Sequence, residues 1–531
     1  MITRAGPLLV AGAFAAAQPL AAQDAWPDWA VAWSPLRPIA LDTRRLPFGS
    51  PSSQYAFGLP APSGLLWTAG NPAGLADDVQ ESRAWMEMAR GRSSGTYRRP
   101  LDPDEVDTWA LAGLGWRPLG RGAVAGRVGF ATQDAAAAGG TDARFPYGAD
   151  PFVVVDTTSP RRNNIHATLE GAAGWRFGGW YAGLGAGLET HRNRSHETRF
   201  ARTGRSSTSA AQVGLARALA PLHATVAVHG RWLGTQETHV GITRPGGTQM
   251  FILSGFHEPS AFDVGSPGGF ERRTSGDGFA WGAAATGAIA GVTWTAYGET
   301  GRWEAGHVNA LRQDSAPTDR FEASTTVAGI ALRLPLPARL ALHLHAGTAQ
   351  LRGEARRADL DGVMLRQTDA VVAAGGSLTF ADPASRWQVT LMARTERSRL
   401  HRNDFLSDVA SDIVAWLAEA GLALGYHAGT VTVGGTLITG LYTPVAAIPD
   451  PETMGPIYVA YVAPEQAIYA ASARPLALAL WIRRRFGNTA TAYVRASGER
   501  IAARSGPHQI PGLPRGQNWR QHLTLGVELT P

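Results

Sequence analysis

Two histidines separated by one leucine, His343 and His345 in PARLALHLHAGTAQ (337–350), are the residues whose type and spacing most directly suggest chemistry. Imidazole is a common metal ligand. On a β-strand, side chains alternate between faces, so His343 and His345 share one face with Arg339 and Ala341. Leu340, Leu342, Leu344 and Ala346 take the other face. A zinc site needs three or four ligands, and the sequence names no third partner for this pair. The loops HRNRSHETRF (191–200) and HRNDFLSD (401–408) hold Ser, His and Asp that could form a nucleophile and base. The sequence is read as having no G-x-S-x-G elbow, no H-E-x-x-H zinc motif and no P-loop. The reading is therefore non-enzymatic, with no metal and no cofactor, and the histidines are assigned to the wall of a polar compartment. Where that compartment lies depends on the elements carrying them.

The N-terminal stretch MITRAGPLLVAGAFAAAQPLAAQ has an early arginine, an apolar centre, and small residues at Ala21 and Ala22. That is the pattern of a secretory signal peptide over residues 1–23. Cysteine is absent, so no disulfide framework or thiolate chemistry is available. All 49 basic residues are arginine against 43 acidic residues, giving a net charge of +6. The arginines are scattered and form no dense basic tract, which excludes nucleic acid as an expected partner. Glycine, at 63 of 531 residues, is in excess without a collagen repeat, so small residues are being used inside structure.

From about residue 82 onward, period-two alternation recurs in segments of about ten residues, the length of a tilted strand crossing a bilayer. Val226, Val228 and Trp232 oppose His229 and Arg231, and Leu523, Leu525, Val527 and Leu529 oppose His522, Thr524 and Glu528. The apolar run 278–298 reads as two strands joined near Ala290 and Gly291. The count is about 18 such segments, an even number within the range of bacterial barrels. Short links carrying Gly or Pro, such as RFGG (176–179) and HAG (427–429), alternate with long polar connections at 133–162, 234–275, 304–321, 442–467 and 501–518. This pattern predicts a transmembrane antiparallel up-and-down β-barrel over residues 82–531, with short periplasmic turns and long extracellular loops. Trp116, Trp175, Trp180, Trp387 and Tyr426 near the short turns, with Trp232, Trp416 and Trp519 toward the loops, suggest two aromatic girdles.

With the leucine face toward lipid, the polar face lines a wet lumen. The expected lining residues are His166, Glu170, His223, His229, Arg231, Glu299, His343, His345, Arg394, Glu396, Arg495 and His522. Few strongly apolar residues are expected to point inward.

Residues 24–81 are rich in Pro, Gly and Trp, have no sustained period, and read as a periplasmic or lumenal segment. Within them GNPAGLADD, with Asn71, Pro72, Ala73 and Gly74, resembles the Asn-Pro-Ala motif of the N-terminal hatch in the long-chain fatty acid outer-membrane transporter family. That resemblance implies a segment plugging the lumen and a hydrophobic substrate. Three functions are in play: a channel or transporter passing a small solute through a polar lumen, a hatch-gated transporter of hydrophobic compounds, and a closed barrel acting as a surface scaffold or adhesin. All three place the chain in the bacterial outer membrane. Its expected partners are membrane lipid and lipopolysaccharide, the barrel assembly machinery, and an unidentified solute.

Overall fold

The computed structural model of the chain describes residues 71–530 except 80, 137–140, 142–149, 157–160, 196–199, 244–248, 254–259, 264–268, 310–318, 338, 359, 361, 383–385, 451–453, 457 and 506–515. The expected signal peptide and residues 24–70 lie outside the described residues. The strands are β1 Arg83–Gly95, β2 Glu105–Leu119, β3 Gly122–Ala136, β4 Val153–Asp156, β5 Arg162–Phe177, β6 Trp180–Ser195 and β7 Phe200–Leu219. They continue with β8 Ala224–Thr243, β9 Gln249–Leu253, β10 Ser260–Asp263, β11 Gly269–Ile289, β12 Val292–Asn309, β13 Asp319–Leu336 and β14 Leu340–Arg357. The last seven are β15 Gly362–Asp382, β16 Trp387–Asp404, β17 Val409–Ala428, β18 Val431–Ala447, β19 Ser472–Phe486, β20 Ala490–Ser505 and β21 Gln517–Leu529. The described residues also form two short helices, α1 Leu75–Asp78 and α2 Ala463–Tyr469, a π-helical turn at Tyr458–Val462 and 3-10 turns at Pro72–Gly74 and Ala220–Leu222.

Eighteen strands form one closed antiparallel barrel, each paired with the next wall strand along the chain. Strand β21 pairs back onto β1, with Ala84 opposite Leu529 and Gly95 opposite Asn518, so no edge is left open. Strands β4, β9 and β10 form a separate three-stranded sheet within the connections.

Alternation dictates which face of each strand meets which solvent. On β21 the outward Trp519, Gln521, Leu523, Leu525, Val527 and Leu529 are exposed, as is His522 on the inward parity, while Asn518 and Glu528 are buried. On β19, Leu476, Leu478, Leu480 and Ile482 are exposed, and Ala479 and Trp481 are buried. The pattern is inverted relative to a water-soluble protein, which is what a lipid-facing exterior around a polar interior requires.

The short turns are built on left-handed backbone. Ala290 (φ 50°) and Gly291 (φ 83°) form the β11–β12 turn, as the alternation in 278–298 predicts. Two left-handed residues in a two-residue hairpin match the twist of the strands they join.

The opposite end differs from expectation. Several long connections are partly strand, because β3 runs to Ala136, β8 to Thr243, and β11 starts at Gly269. Strands of up to 21 residues (β11, β15) exceed the roughly 9–11 residues needed to cross a bilayer. Strand β19 starts only at Ser472, because α2 and the turn after it take the residues just past the expected connection 442–467.

The glycine excess has a packing cause. A Cβ at Gly526 would lie 2.2 Å from the Tyr493 ring, and one at Gly434 would lie 2.2 Å from Trp481. Large inward side chains lie flat over glycines of the neighbouring strand, an arrangement known to rescue glycine in sheets.

Most of the aromatic girdle points outward: Trp175, Trp180, Trp387, Trp232, Trp416 and Trp519 are all exposed. Arg217, Arg397 and Arg500 stack over Trp180, Trp416 and Trp519 at 4.9, 5.7 and 5.4 Å, pairing a cation with an interfacial ring. Trp116 departs from the predicted girdle. It shares the inward parity of β2 and packs against Trp85 at 4.4 Å between ring centroids.

Candidate functional site

The lumen is lined by paired charges rather than a single cluster. His229 and Arg231 of β8 converge on Glu299 of β12, with Nε2 3.0 Å from Oε2 and Nη2 2.8 Å from Oε1. Both side chains are buried, and the shared carboxylate gives each a hydrogen-bond partner away from water. Arg394 contacts Glu396 on its own strand and lies 3.6 Å from Glu419 of β17. Glu170 faces Arg127 at 3.9 Å, and His166 contacts Glu189. Arg520 pairs with Glu499 at 3.4 Å.

His343 and His345 point inward, as the alternation predicts, and both are buried. The ring of His345 lies over Gly375, where a Cβ would stand 2.6 Å from its Cε1. Register then places Arg394 beside Gly375 and Glu419 beside Arg394, so one lateral row carries His345, Arg394 and Glu419. Among the described residues, no three His, Cys, Asp or Glu side chains are grouped to hold a metal ion. Arg495 and His522 lie on the inward parity of β20 and β21.

His223 requires correction. It follows the 3-10 turn Ala220–Leu222, adopts φ 45°, and is exposed in the β7–β8 turn rather than in the lumen. Pro221 breaks the alternation on which its assignment rests.

The interior is also less uniformly polar than expected. Leu233, Trp303, Phe321, Leu351 and Met364 are buried in one inward cluster with Phe152 and Ile252 of the outer connections. Phe152 and Ile252 lie inside the expected polar connections 133–162 and 234–275, and Leu233, Trp303 and Phe321 lie at the borders of 234–275 and 304–321.

The sequence GRSSG (91–95) matches the G-x-S-x-G pattern, which residue-type reasoning passed over. All five residues lie within β1, with no strand-to-helix turn, and Ser93 Oγ sits 3.4 Å from Asn518 Oδ1. A nucleophile elbow requires that turn to expose its serine.

At the short-turn end, residues 71–79 dock against the inner wall. Asn71 is fully buried; its Oδ1 accepts from Ala73 N at 2.9 Å, and its Nδ2 donates to Val228 O at 2.9 Å. Pro72–Gly74 form a 3-10 turn leading into α1, with Pro at a position whose missing N–H costs nothing. Gly174, Gly183 and Gly214 stand opposite one another across β5, β6 and β7 and form the seat. A Cβ at Gly183 would lie 2.3 Å from Pro72 C, and one at Gly214 would lie 2.0 Å from Asn71 Oδ1. Ala73 packs with Tyr181, Ala216, Ala227 and Ala284.

At the opposite end, residues 458–471 fold inward. Ile468 and Tyr469 of α2 pack against Tyr97, Leu400, Ile413, Tyr442 and Ile501 of the wall and rim. The Tyr442 hydroxyl donates to Tyr469 O at 2.8 Å, and the Tyr97 hydroxyl donates to Ile468 O at 3.3 Å. Arg402 reaches Glu465 at 3.4 Å. Burial pushes the phenols of the loop residues Tyr97 and Tyr458 above their ordinary range, keeping them neutral donors. Val153 and Val155 of β4 pack with Leu101 and Tyr461, so three connections interlock over the mouth.

The fold and its lined lumen define a closed β-barrel with both ends occupied by its own chain. The chain belongs to a family of unknown function (DUF6850), whose model matches residues 72–530. No curated protein matches the sequence. Among solved structures, the outer membrane transporter YddB from Escherichia coli is similar at 7% identity and a TM-score of 0.39, over 85% of this chain and 80% of that one. CdiB from Acinetobacter baumannii is similar at 9% identity and a TM-score of 0.38; 85% of this chain is covered, and it spans 60% of the CdiB chain. The copper transporter OprC is similar at 11% identity and a TM-score of 0.37, over 84% of this chain and 80% of that one.

Proposed function

We propose that the protein is a gated outer-membrane transporter that passes a small polar solute through a mixed-charge lumen, with no catalytic role. The observation that carries this reading is the seating of α2 inside the outer mouth, tied to the wall through Tyr442, Tyr97 and Arg402. A structural scaffold has no need of a polar interior, and an open pore has no need of such a cap. The paired charges fit a solute that remains partly hydrated as it passes, because such a wall exchanges hydrogen bonds without leaving a bare charge behind. The outward apolar face suits the lipid of the outer membrane.

Liposome swelling with arabinose tests the reading. Proteoliposomes of a variant with Tyr458–Tyr469 replaced by a short Gly-Ser linker are expected to swell several-fold faster than those of the intact chain. Swelling no faster than protein-free liposomes in both cases would sink it.

A second reading, a hatch-gated transporter of hydrophobic compounds, draws on the glycine seat beneath Asn71–Gly74 and on the inward cluster around Trp303 and Phe321. A hydrophobic solute that slows swelling only when residues 71–79 are intact would favour it.

A further inference from the structure

The acidic residues of the neighbouring strands β5–β8 are Glu170, Glu189 and Glu237, and all three face inward. Glu170 is buried, Glu189 contacts His166, and Glu237 contacts His239 at 3.1 Å. The outward face of these strands carries the opposite charge. Arg192 and Arg194 of β6 and Arg205 of β7 are exposed there, and register sets Arg192 directly opposite Arg205. Like charges directly opposite one another destabilise a sheet. Acids on the flanking strands are engaged or distant. Asp134 of β3 pairs with Arg161, and Glu271 of β11 pairs with Arg273 at 2.7 Å. Asp277 of β11 lies level with Ser209, two strands away from Arg205 and four residues below it (209 minus 205). The connection 196–199, HETR, adds one acid and one arginine, so the local balance stays positive.

Height along the barrel gives the patch its meaning. Arg192 lies twelve residues up β6 from the exposed Trp180 (192 minus 180). At about 3.3 Å per residue and a strand tilt of about 40°, that is roughly 30 Å along the barrel axis. The outward apolar band of such a barrel is about 25 Å tall. With Trp180 at the inner interface, the arginines stand a few ångströms past the outer edge of the band, at the level of lipid head groups. Leu169, Leu184 and Leu188 are exposed below them. Thr190 opposite Ser207, and Asn163 and Thr203 on either side of Arg194, surround the arginines with neutral polar groups.

We propose that Arg192, Arg194 and Arg205 form a docking site for the phosphorylated glycolipid of the outer leaflet, lipopolysaccharide. A phosphate bridges the opposed Arg192 and Arg205, and the acyl chains lie over Leu169, Leu184 and Leu188. This assignment rests on the outer-membrane reading and gives one of its lipid partners a place on the barrel. Charge complementarity selects the occupant: guanidinium forks match phosphate oxygens, and an anion shared between two arginines cancels their repulsion. The neighbouring hydroxyls and the Asn163 amide can both donate to and accept from sugar hydroxyls.

The test is native mass spectrometry of the refolded full chain in detergent micelles, titrated with diphosphoryl lipid A or with phosphatidylglycerol. Lipid A should bind at least tenfold more tightly than phosphatidylglycerol and should resist displacement by millimolar inorganic phosphate. The Arg192→Gln, Arg205→Gln double variant should weaken lipid A at least tenfold. Arg352→Gln, which removes an exposed outward arginine from β14, should leave it within about twofold of the original. Arg205→Glu gives Arg192 a partner, so it should raise the urea midpoint of the lipid-free protein while abolishing lipid A binding. Heat-modifiable gel migration checks that each variant folds. Equal binding of lipid A and phosphatidylglycerol, displacement by inorganic phosphate, or unchanged binding in the folded double variant would overturn the site. In a chain that needs detergent to stay in solution, any of these results leaves the outer-membrane reading standing. A refolded chain that stays in solution without detergent would overturn that reading, and the site with it.

Discussion

Replacing Gly183 with alanine should release the Asn71–Gly74 segment while leaving the barrel closed. The added Cβ would stand 2.3 Å from Pro72 C and 2.4 Å from Ala73 N, both backbone atoms that cannot rotate away. Ordinary contact begins near 3.4 Å, so the segment must retreat by about 1.1 Å (3.4 minus 2.3). Added to the 2.9 Å between Asn71 Nδ2 and Val228 O, such a shift takes that hydrogen bond out of range. Losing one or two hydrogen bonds from a buried asparagine costs about 1–3 kcal/mol, or roughly a 5- to 150-fold change in the ratio of docked to released segment. Gly183 does not have positive φ, so alanine itself suits the strand. Because the chain has no cysteine, Leu75→Cys supplies a single buried thiol whose maleimide labelling rate reports release. Labelling of the Leu75→Cys, Gly183→Ala double variant should be faster than that of Leu75→Cys alone by that factor, with heat-modifiable migration unchanged. Equal rates in the two proteins would refute the idea that the glycine row holds the segment.

Other perturbations read different parts of the molecule. Glu299→Gln strands His229 and Arg231 around a neutral amide and should lower stability by about 2–4 kcal/mol, seen as a lower urea midpoint for loss of the folded gel form. Tyr442→Phe removes the 2.8 Å bond to Tyr469 O and should loosen the cap by about 1 kcal/mol, giving faster arabinose swelling with no loss of fold. Alkaline pH should act on the same cap through Tyr97 and Tyr458. Their folded values are raised, so their contribution is present below the ordinary phenol value near 10 and is lost as pH rises through the folded values. Swelling should therefore increase above about pH 10 and return to its lower rate on neutralisation. Leu525→Arg places a charge on the lipid face between Met88 and Val494 and should cost about 2–4 kcal/mol near the membrane midplane, lowering the refolded yield.

Architecture was legible because period-two alternation acts locally: each strand must put its own greasy residues toward lipid, whatever its neighbours do. Thus His229, Arg231, His343 and His345 are inward as the alternation requires, and the β11–β12 turn falls at Ala290 and Gly291. The misreadings share a cause. His223 was assigned by parity across Pro221, where the chain leaves the strand, and Trp116 was assigned by residue type where parity would have turned it inward. The lumen's two occupants were harder to see. Asn71 was picked out by its motif, but its seat is formed by glycines on three strands that only register brings side by side. The run 463–469 falls mostly in the expected polar connection 442–467, and its burial follows from partners such as Tyr97 and Tyr442, which are distant in sequence.

On the proposed function, the chain's own outer connection closes a water-filled lumen. Single-channel recording in planar bilayers, comparing the intact chain with the variant in which a short Gly-Ser linker replaces Tyr458–Tyr469, reads that closure directly. Brief, infrequent openings are expected from the intact chain and steady conductance from the variant. Steady conductance of equal size from both proteins would contradict it and leave the barrel an ungated pore.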